Sequence, residues 1–238
     1  MNPKVFGKEH LIYVIISVVL TIAICVLAKV FAKTDKSKKI VVKCAGAILF
    51  LIIFANRLAL VFEYNRVNWM KLITDSFCST SSYVLSLAIL LGKRNNNVLH
   101  FVWLISLAGG TITTFAPNFI GQNPSFLYLP TILGLMHHTF SVVVVILMLM
   151  FNYINITYKK WYCTLWGFVS YLAFGAFLMC VFNYSNPFYM VEPAISGTPL
   201  TAWVIAPIYF VVHALILLTV ELIRKYKEKK KQQLIKTQ

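Results

Sequence analysis

The chain has 238 residues, of which 59% are hydrophobic and 12% charged. Soluble globular domains carry about 25% charged residues, and apolar runs of membrane length recur along this chain, so a large aqueous domain is excluded. The net charge of +15 does not indicate nucleic-acid binding. The basic residues lie in short loops and in the C-terminal tail, where they determine topology and contact anionic lipid headgroups. The sequence therefore predicts an all-α polytopic membrane protein.

Seven membrane spans follow from the requirement of about 20 apolar residues per span. They divide the chain into a short extracytoplasmic segment (1–9), a seven-helix transmembrane domain (10–223) and a basic cytoplasmic tail (224–238). In chain order the predicted spans are 10–32, 40–62, 71–91, 99–117, 128–151, 162–182 and 202–223.

The distribution of Lys and Arg predicts the orientation of these spans. The loops after the first, third and fifth spans are basic, and the tail adds the basic run 224–231. The loops after the fourth and sixth spans contain no Lys or Arg. Because positive loops stay in the cytoplasm, the N-terminus is expected outside and the C-terminus in the cytoplasm, with the tail on anionic lipid headgroups.

The third predicted span begins with an unusually polar stretch. Asp75, Cys78, Ser79 and Ser82 are spaced i, i+3, i+4 and i+7, which would place them on one face of a helix. Polar groups in hydrocarbon are costly and commonly mark a functional site. This face is therefore expected to point into the protein or into a wet cavity.

Other spans place polar groups at a similar depth below the outer surface. Cys78 lies roughly 10 Å below the outer end of its span, and His138 lies roughly 12 Å below Pro130, at 1.5 Å per residue. Arg57 lies in the outer half of the second span, and His213 lies somewhat deeper in the seventh. Four spans are thus expected to contribute polar side chains to one layer.

On the fifth span, His138 shares a predicted face with Thr131, Gly134 and Ser141, whereas His137 points elsewhere.

The chemistry that this layer allows is nucleophilic catalysis. The Cys78 thiol can attack as a thiolate, and His138 can take its proton and return it to a leaving group. Arg57 could pair with Asp75 or stabilise a developing oxyanion. The alternative is a structural Arg57–Asp75 ion pair beside a hydrogen-bonded core histidine. A metal site is not predicted, because these residues lack ligand spacing.

Short motifs spread over most of the chain resemble one protein family. They are residues 6–11, 57–59, 63–65 with Trp69, 73–78, 109–117, 136–139, and 186–190 with Pro193. Together they are similar to the YwaF-like family of bacterial integral membrane proteins, which resembles the eukaryotic transmembrane protein 164 acyltransferases.

The resemblance implies a seven-helix fold and the transfer of fatty acyl chains between lipids by a cysteine and a histidine. In this chain, it implies that Cys78 is the acyl acceptor and His138 the base, with Asn186 and Tyr189 in a supporting segment. It implies no cofactor, a membrane phospholipid as donor, a lipid or lipoprotein as acceptor, and a bacterial plasma membrane as location.

This chain departs from the family pattern at several motif positions. Thr74 and Ser76 stand where the family has Pro and His, and His137 and Thr139 replace the Ser and Gly that flank the family histidine. The role of the histidine absent at Ser76 could be filled by Asp75 or by His137.

Two other functions remain open from the sequence. In a transporter or small-molecule-binding protein, Arg57, Asp75, His138 and His213 would line a solute path. In an accessory membrane subunit, none of them would carry chemistry. The sequence also leaves open whether Cys78 and Cys180 form a disulfide.

Overall fold

The computed structural model describes residues 7–63, 67–117, 126–195 and 197–236. Residues 1–6 of the predicted N-terminal segment, and Tyr64 and Asn65 of the second motif, lie outside the described residues. Over the described ranges the chain forms seven α-helices and no strand, which confirms the predicted helical fold. The helices are α1 (Lys8–Phe31), α2 (Asp35–Val61), α3 (Phe77–Leu90), α4 (Asn97–Phe115), α5 (Leu129–Met150), α6 (Tyr162–Phe182) and α7 (Ala202–Lys236).

Six of these helices are long and apolar enough to cross a membrane, namely all except α3. Helix α3 has 14 residues and is therefore about 21 Å long at 1.5 Å per residue. The hydrocarbon core of a bilayer is about 30 Å thick, so α3 alone is too short to span it. The predicted span 71–91 is thus corrected to a shorter helix with a non-helical approach.

The capping chemistry of Ser76 explains why α3 starts late. The Ser76 hydroxyl oxygen accepts a hydrogen bond from the backbone N–H of Ser79, as an N-cap residue does. The preceding chain forms a short 3-10 helix (Trp69–Leu72), and Ile73 is extended. Asp75 therefore lies before the helix and does not share the helical face of Cys78, Ser79 and Ser82.

The starts of other helices also follow from local sequence. Thr34 and Ser37 form a capping box at the start of α2. Asn96 caps α4 by accepting from the N–H of Leu99. Pro130 occupies the first turn of α5, as predicted, where its missing N–H costs no helical hydrogen bond.

The chain divides into two compact units, of which the first is Met1–Ile154. Within it, α2 and α4 each pack on both α3 and α5, while α1 packs mainly on α5. A glycine allows close approach between α2 and α3, since a Cβ atom at Gly46 would lie 2.8 Å from Cγ2 of Ile89. Such small residues are typical of helix seams in membranes.

The second unit, Asn155–Gln238, contains α6, α7 and two short 3-10 helices, Tyr158–Lys160 and Pro187–Tyr189. Phe188 is completely buried in this unit, and its ring packs against those of Tyr171 and Phe174 on α6.

Candidate functional site

Cys78 lies in the first turn of α3, half-buried against α4. A Cβ atom at Gly109 of α4 would lie 2.7 Å from the Cys78 sulfur, so only glycine leaves room for the thiol at this point. At the next residue, Gly110, a Cβ would lie 2.6 Å from the carbonyl oxygen of His138 on α5. Two consecutive glycines of α4 therefore adjoin the candidate nucleophile and the backbone of the candidate base.

Arg57 of α2 reaches the same part of the first unit. Its side chain is buried, with 8% of the residue exposed, and its Nη2 donates a 2.6 Å hydrogen bond to the hydroxyl of Ser79. Ser79 is the residue after Cys78, so the bond holds a positive charge next to the first turn of α3.

The two histidines of α5 lie side by side in the interior. His137 is 2% exposed and His138 is 7% exposed, and their ring centroids are 4.0 Å apart. His137 is therefore buried beside His138 rather than directed away from it.

A pair of serines connects α3 to α5 one helical turn from these groups. The hydroxyl oxygens of Ser82 and Ser141 are 2.8 Å apart. Each hydroxyl has one proton, so one serine donates to the other, and the serine that accepts donates to a backbone carbonyl four residues earlier, that of Cys78 for Ser82 or that of His137 for Ser141. This contact joins the turn of α3 that follows Cys78 to the turn of α5 that follows His138.

No hydrogen bond joins the Cys78 thiol to the His138 imidazole within the described residues. Catalytic hydrogen bonds are often long or absent without substrate and tighten when it binds. The first unit thus holds a thiol on α3, an imidazole on α5 and a buried guanidinium on α2, and the guanidinium donates to the residue that follows the cysteine.

The comparison with protein-family profiles matches residues 5–223 to the TMEM164 family. The match covers nearly the whole chain. The chain belongs to the TMEM164 family. No curated protein and no solved structure is significantly similar to it. The family match agrees with the resemblance to the transmembrane protein 164 acyltransferases, and it is consistent with the bacterial YwaF-like description.

Two residues of this TMEM164-family protein that differ from the family motif have clear structural roles. Ser76 caps α3, as described above. Thr74 accepts a 2.9 Å hydrogen bond from the hydroxyl of Thr80 inside the first unit. Both residues therefore stabilise the segment that leads into the first turn of α3, which carries Cys78.

Asp75, between them, is half-buried. In the described part of the chain the ion pairs join Arg94 to Asp35 and Arg224 to Glu221. An Arg57–Asp75 pair is not among them.

Three predicted site residues belong to the second unit of this TMEM164-family chain. His213 is buried and shares a hydrogen bond with the hydroxyl of Thr164. The side-chain oxygen of Asn186 accepts from the N–H groups of Val191 and Glu192, which shapes the loop after α6. Tyr189 has a left-handed backbone conformation with φ of 58°.

All five cysteines, Cys78 and Cys180 included, are free thiols. No three His, Cys, Asp or Glu side chains in the described ranges come close enough to bind one metal ion.

Sequence analysis missed one polar cluster next to the histidines. The hydroxyl of Tyr13 on α1 lies 2.8 Å from that of Thr139, which lies 3.0 Å from that of Thr114. The Nε2 atom of His10 lies 3.0 Å from the carbonyl oxygen of Thr114. His10 falls within the motif of residues 6–11, and its position in a membrane-length helix was the signal that could have identified it.

Proposed function

We propose that this TMEM164-family protein is a membrane-embedded acyltransferase or transacylase. It would move a fatty acyl chain from a membrane phospholipid to a lipid or lipoprotein acceptor through a thioester on Cys78. The observation that supports this most directly is the adjacency at α4. Gly109 contacts the Cys78 sulfur, and the neighbouring Gly110 contacts the backbone of His138.

The first half-reaction breaks the ester bond of the donor. The Cys78 sulfur attacks the ester carbonyl carbon while His138 takes the thiol proton. Collapse of the tetrahedral intermediate breaks the bond to the glycerol oxygen, and His138 returns the proton to that oxygen. The products are a lysolipid and an acyl group held as a thioester.

The second half-reaction transfers the acyl group. A hydroxyl or amine of the acceptor attacks the thioester carbonyl, and His138 takes the proton of that group. The carbon–sulfur bond then breaks, and the proton returns to the sulfur of Cys78. Atoms balance over the cycle without any cofactor.

Arg57 has a supporting role in this scheme. A fixed positive charge in a water-poor site can stabilise the oxyanion of each tetrahedral intermediate. The bond to Ser79 holds the guanidinium beside the cysteine turn, so the charge needs little reorganisation during reaction. His137 contributes a second buried imidazole next to His138.

The decisive experiment traps the thioester. Full-length protein in vesicles is supplied with a phospholipid that carries an alkyne-tagged acyl chain, and protein-bound label is measured before and after neutral hydroxylamine. Hydroxylamine-sensitive labelling is expected for the native chain and for Cys44→Ser, the matched control, because Cys44 is an exposed cysteine of α2. Labelling that persists in Cys78→Ser refutes the thioester.

The role of His138 is tested with a second variant. His138→Ala is expected to slow labelling by about 100-fold or more, since general base catalysis contributes about 10²–10⁴. The folded fraction should stay similar to that of the native chain in gel filtration. Unchanged labelling kinetics would remove His138 from the reaction.

The charge pattern indicates on which side of the membrane the proposed reaction would take place. With basic loops and tail in the cytoplasm, Cys78 and His138 would lie in the outer half of a bacterial plasma membrane, so the donor would be a lipid of the outer leaflet and the acceptor a lipid or lipoprotein on the same side. The basic end of α7 would contact anionic headgroups of the inner leaflet.

A further inference from the structure

A groove runs between α1, α4 and α5 in the first unit. Its volume is about 180 Å³. Pockets for drug-sized ligands measure about 300–1,000 Å³, so the groove has room for part of one flexible chain and not for a whole polar solute. It is lined by Ser17, Val18, Thr21 and Ile22 of α1, Thr111, Thr114 and Phe115 of α4, and Thr139 and Val142 of α5.

The chemistry of the lining favours hydrocarbon despite its many hydroxyl groups. The hydroxyls of Thr21, Thr111 and Thr114 donate to carbonyls of their own helices, four residues earlier in each case. The Thr139 hydroxyl lies within hydrogen-bond distance of Tyr13 and Thr114. Because these hydroxyls already have partners, the groove offers methyl and methylene surface to its occupant.

Hydrogen bonds between α1, α4 and α5 border one end of the groove. The Tyr13–Thr139–Thr114 cluster and the bond from His10 to the Thr114 carbonyl join α1 to α4 and α5. These bonds lie on the N-terminal side of Ser17 along α1 and involve the lining residues Thr114 and Thr139. A fixed, apolar groove can select one chain from the surrounding lipid, whereas a smooth helix face cannot.

The groove also shares a helix seam with the candidate site. Val142 lines the groove, and its Cγ2 would lie 2.8 Å from a Cβ at Gly110. The same Gly110 position adjoins the carbonyl of His138. Thr139, another lining residue, directly follows His138.

We propose that the groove between α1, α4 and α5 binds one acyl chain of a membrane phospholipid and so holds the donor lipid against the turn of α5 that carries His138. That the bound chain belongs to the donor rests on the proposed acyl transfer. The binding of a hydrocarbon chain rests on the groove alone.

The test uses photo-crosslinking in the absence of turnover. Full-length Cys78→Ser protein is placed in vesicles of phosphatidylcholine and phosphatidylglycerol that contain a trace of phosphatidylcholine with a diazirine in the middle of one acyl chain. Crosslinked peptides are mapped by mass spectrometry. Crosslinks are expected to concentrate on the groove residues of α1, α4 and α5 rather than on the outer face of α1.

Two adjacent positions of α1 provide a matched pair of variants. Val18 lines the groove, whereas Val19 does not, and both are exposed. Val18→Trp should fill the groove and reduce groove crosslinks at least fivefold, while Val19→Trp should leave them unchanged. Thr21→Phe fills the same space from the next turn and serves as a second blocking variant.

The outcomes separate the two proposals. Crosslinks spread evenly over the lipid-facing residues of α1, and equal in the Val18 and Val19 variants, mean bulk annular lipid only and overturn the groove. Groove crosslinks that respond to Val18→Trp, together with no hydroxylamine-sensitive label on the native chain, retain the lipid site and overturn the acyl transfer. If the native chain is labelled but the crosslinks are spread evenly, the groove proposal is overturned and the acyl-transfer proposal is retained.

Discussion

Gly109→Ala is the most informative single substitution in this protein. The added Cβ would lie 2.7 Å from the Cys78 sulfur and 3.6 Å from the Cys78 Cβ. Carbon atoms in contact sit about 3.5–4.0 Å apart, so the sulfur is too close by about 1 Å. The thiol can relieve the clash only by turning to another staggered rotamer, which directs it away from α4.

The stability cost of this substitution should be small. Overpacking costs about 1–3 kcal/mol, and replacing glycine by alanine within a helix returns about 1 kcal/mol. The net destabilisation is therefore about 0–2 kcal/mol, within the range that a folded membrane protein tolerates. The effect on acylation should be much larger, because displacing a reacting group by 1 Å can cost about 100-fold in rate.

The assay measures the rate of hydroxylamine-sensitive labelling together with the thermal unfolding midpoint in detergent. Gly109→Ala is expected to lower the rate by about 100-fold with little change in the midpoint. Gly46→Ala is the matched control, because its added Cβ would crowd Ile89 of α3 rather than the thiol. A native labelling rate in Gly109→Ala would refute the idea that this contact positions the nucleophile.

Two further predictions concern the groups around the cysteine turn. Arg57→Gln keeps a polar side chain at this position but removes the charge, so labelling should slow by about 100-fold, as for loss of one oxyanion donor; an unchanged rate would exclude Arg57 from the reaction. The double-mutant cycle of Ser82→Ala and Ser141→Ala should give a coupling energy of about 0.6 kcal/mol in unfolding measurements, the average for hydrogen bonds between membrane helices. A coupling near zero would mean that the serine contact does not join α3 to α5.

The sequence predicted the number and the approximate limits of the helices because hydropathy and length determine them. The predicted span 162–182 coincides with α6 (Tyr162–Phe182), and span 128–151 differs from α5 (Leu129–Met150) by one residue at each end. The predicted start of the third span, residue 71, was wrong, because α3 begins six residues later at Phe77. Hydropathy averages over a long window, whereas the start depended on the single hydrogen bond of Ser76 to the N–H of Ser79.

The contacts of the candidate site could be predicted only in part. Equal depth predicts one layer for Arg57, Cys78 and His138, and a helical repeat predicts a shared face for Cys78, Ser79 and Ser82. In the structure Ser79 contacts Arg57 of α2, whereas Ser82 contacts Ser141 of α5. The expected Arg57–Asp75 pairing did not follow, because Asp75 precedes the helix and the guanidinium reaches Ser79 instead. Which helices touch, and at which residue, depends on the rotation of each helix in the packed unit, which hydropathy does not define.

The late start of α3 has a chemical consequence for the proposed reaction. In a helix beginning at Lys71, the backbone N–H of Cys78 would donate to the carbonyl of Thr74 and be unavailable. In α3, which begins at Phe77, Cys78 lies in the first turn, where backbone N–H groups have no carbonyl partner four residues earlier within the helix. An acyl group on the sulfur places its carbonyl oxygen near this end of the helix, where N–H groups and the helix dipole favour negative charge. By starting the helix at Phe77, the cap at Ser76 leaves the N–H of Cys78 without an intrahelical carbonyl partner, so that this N–H would be available to the oxyanion of the proposed reaction.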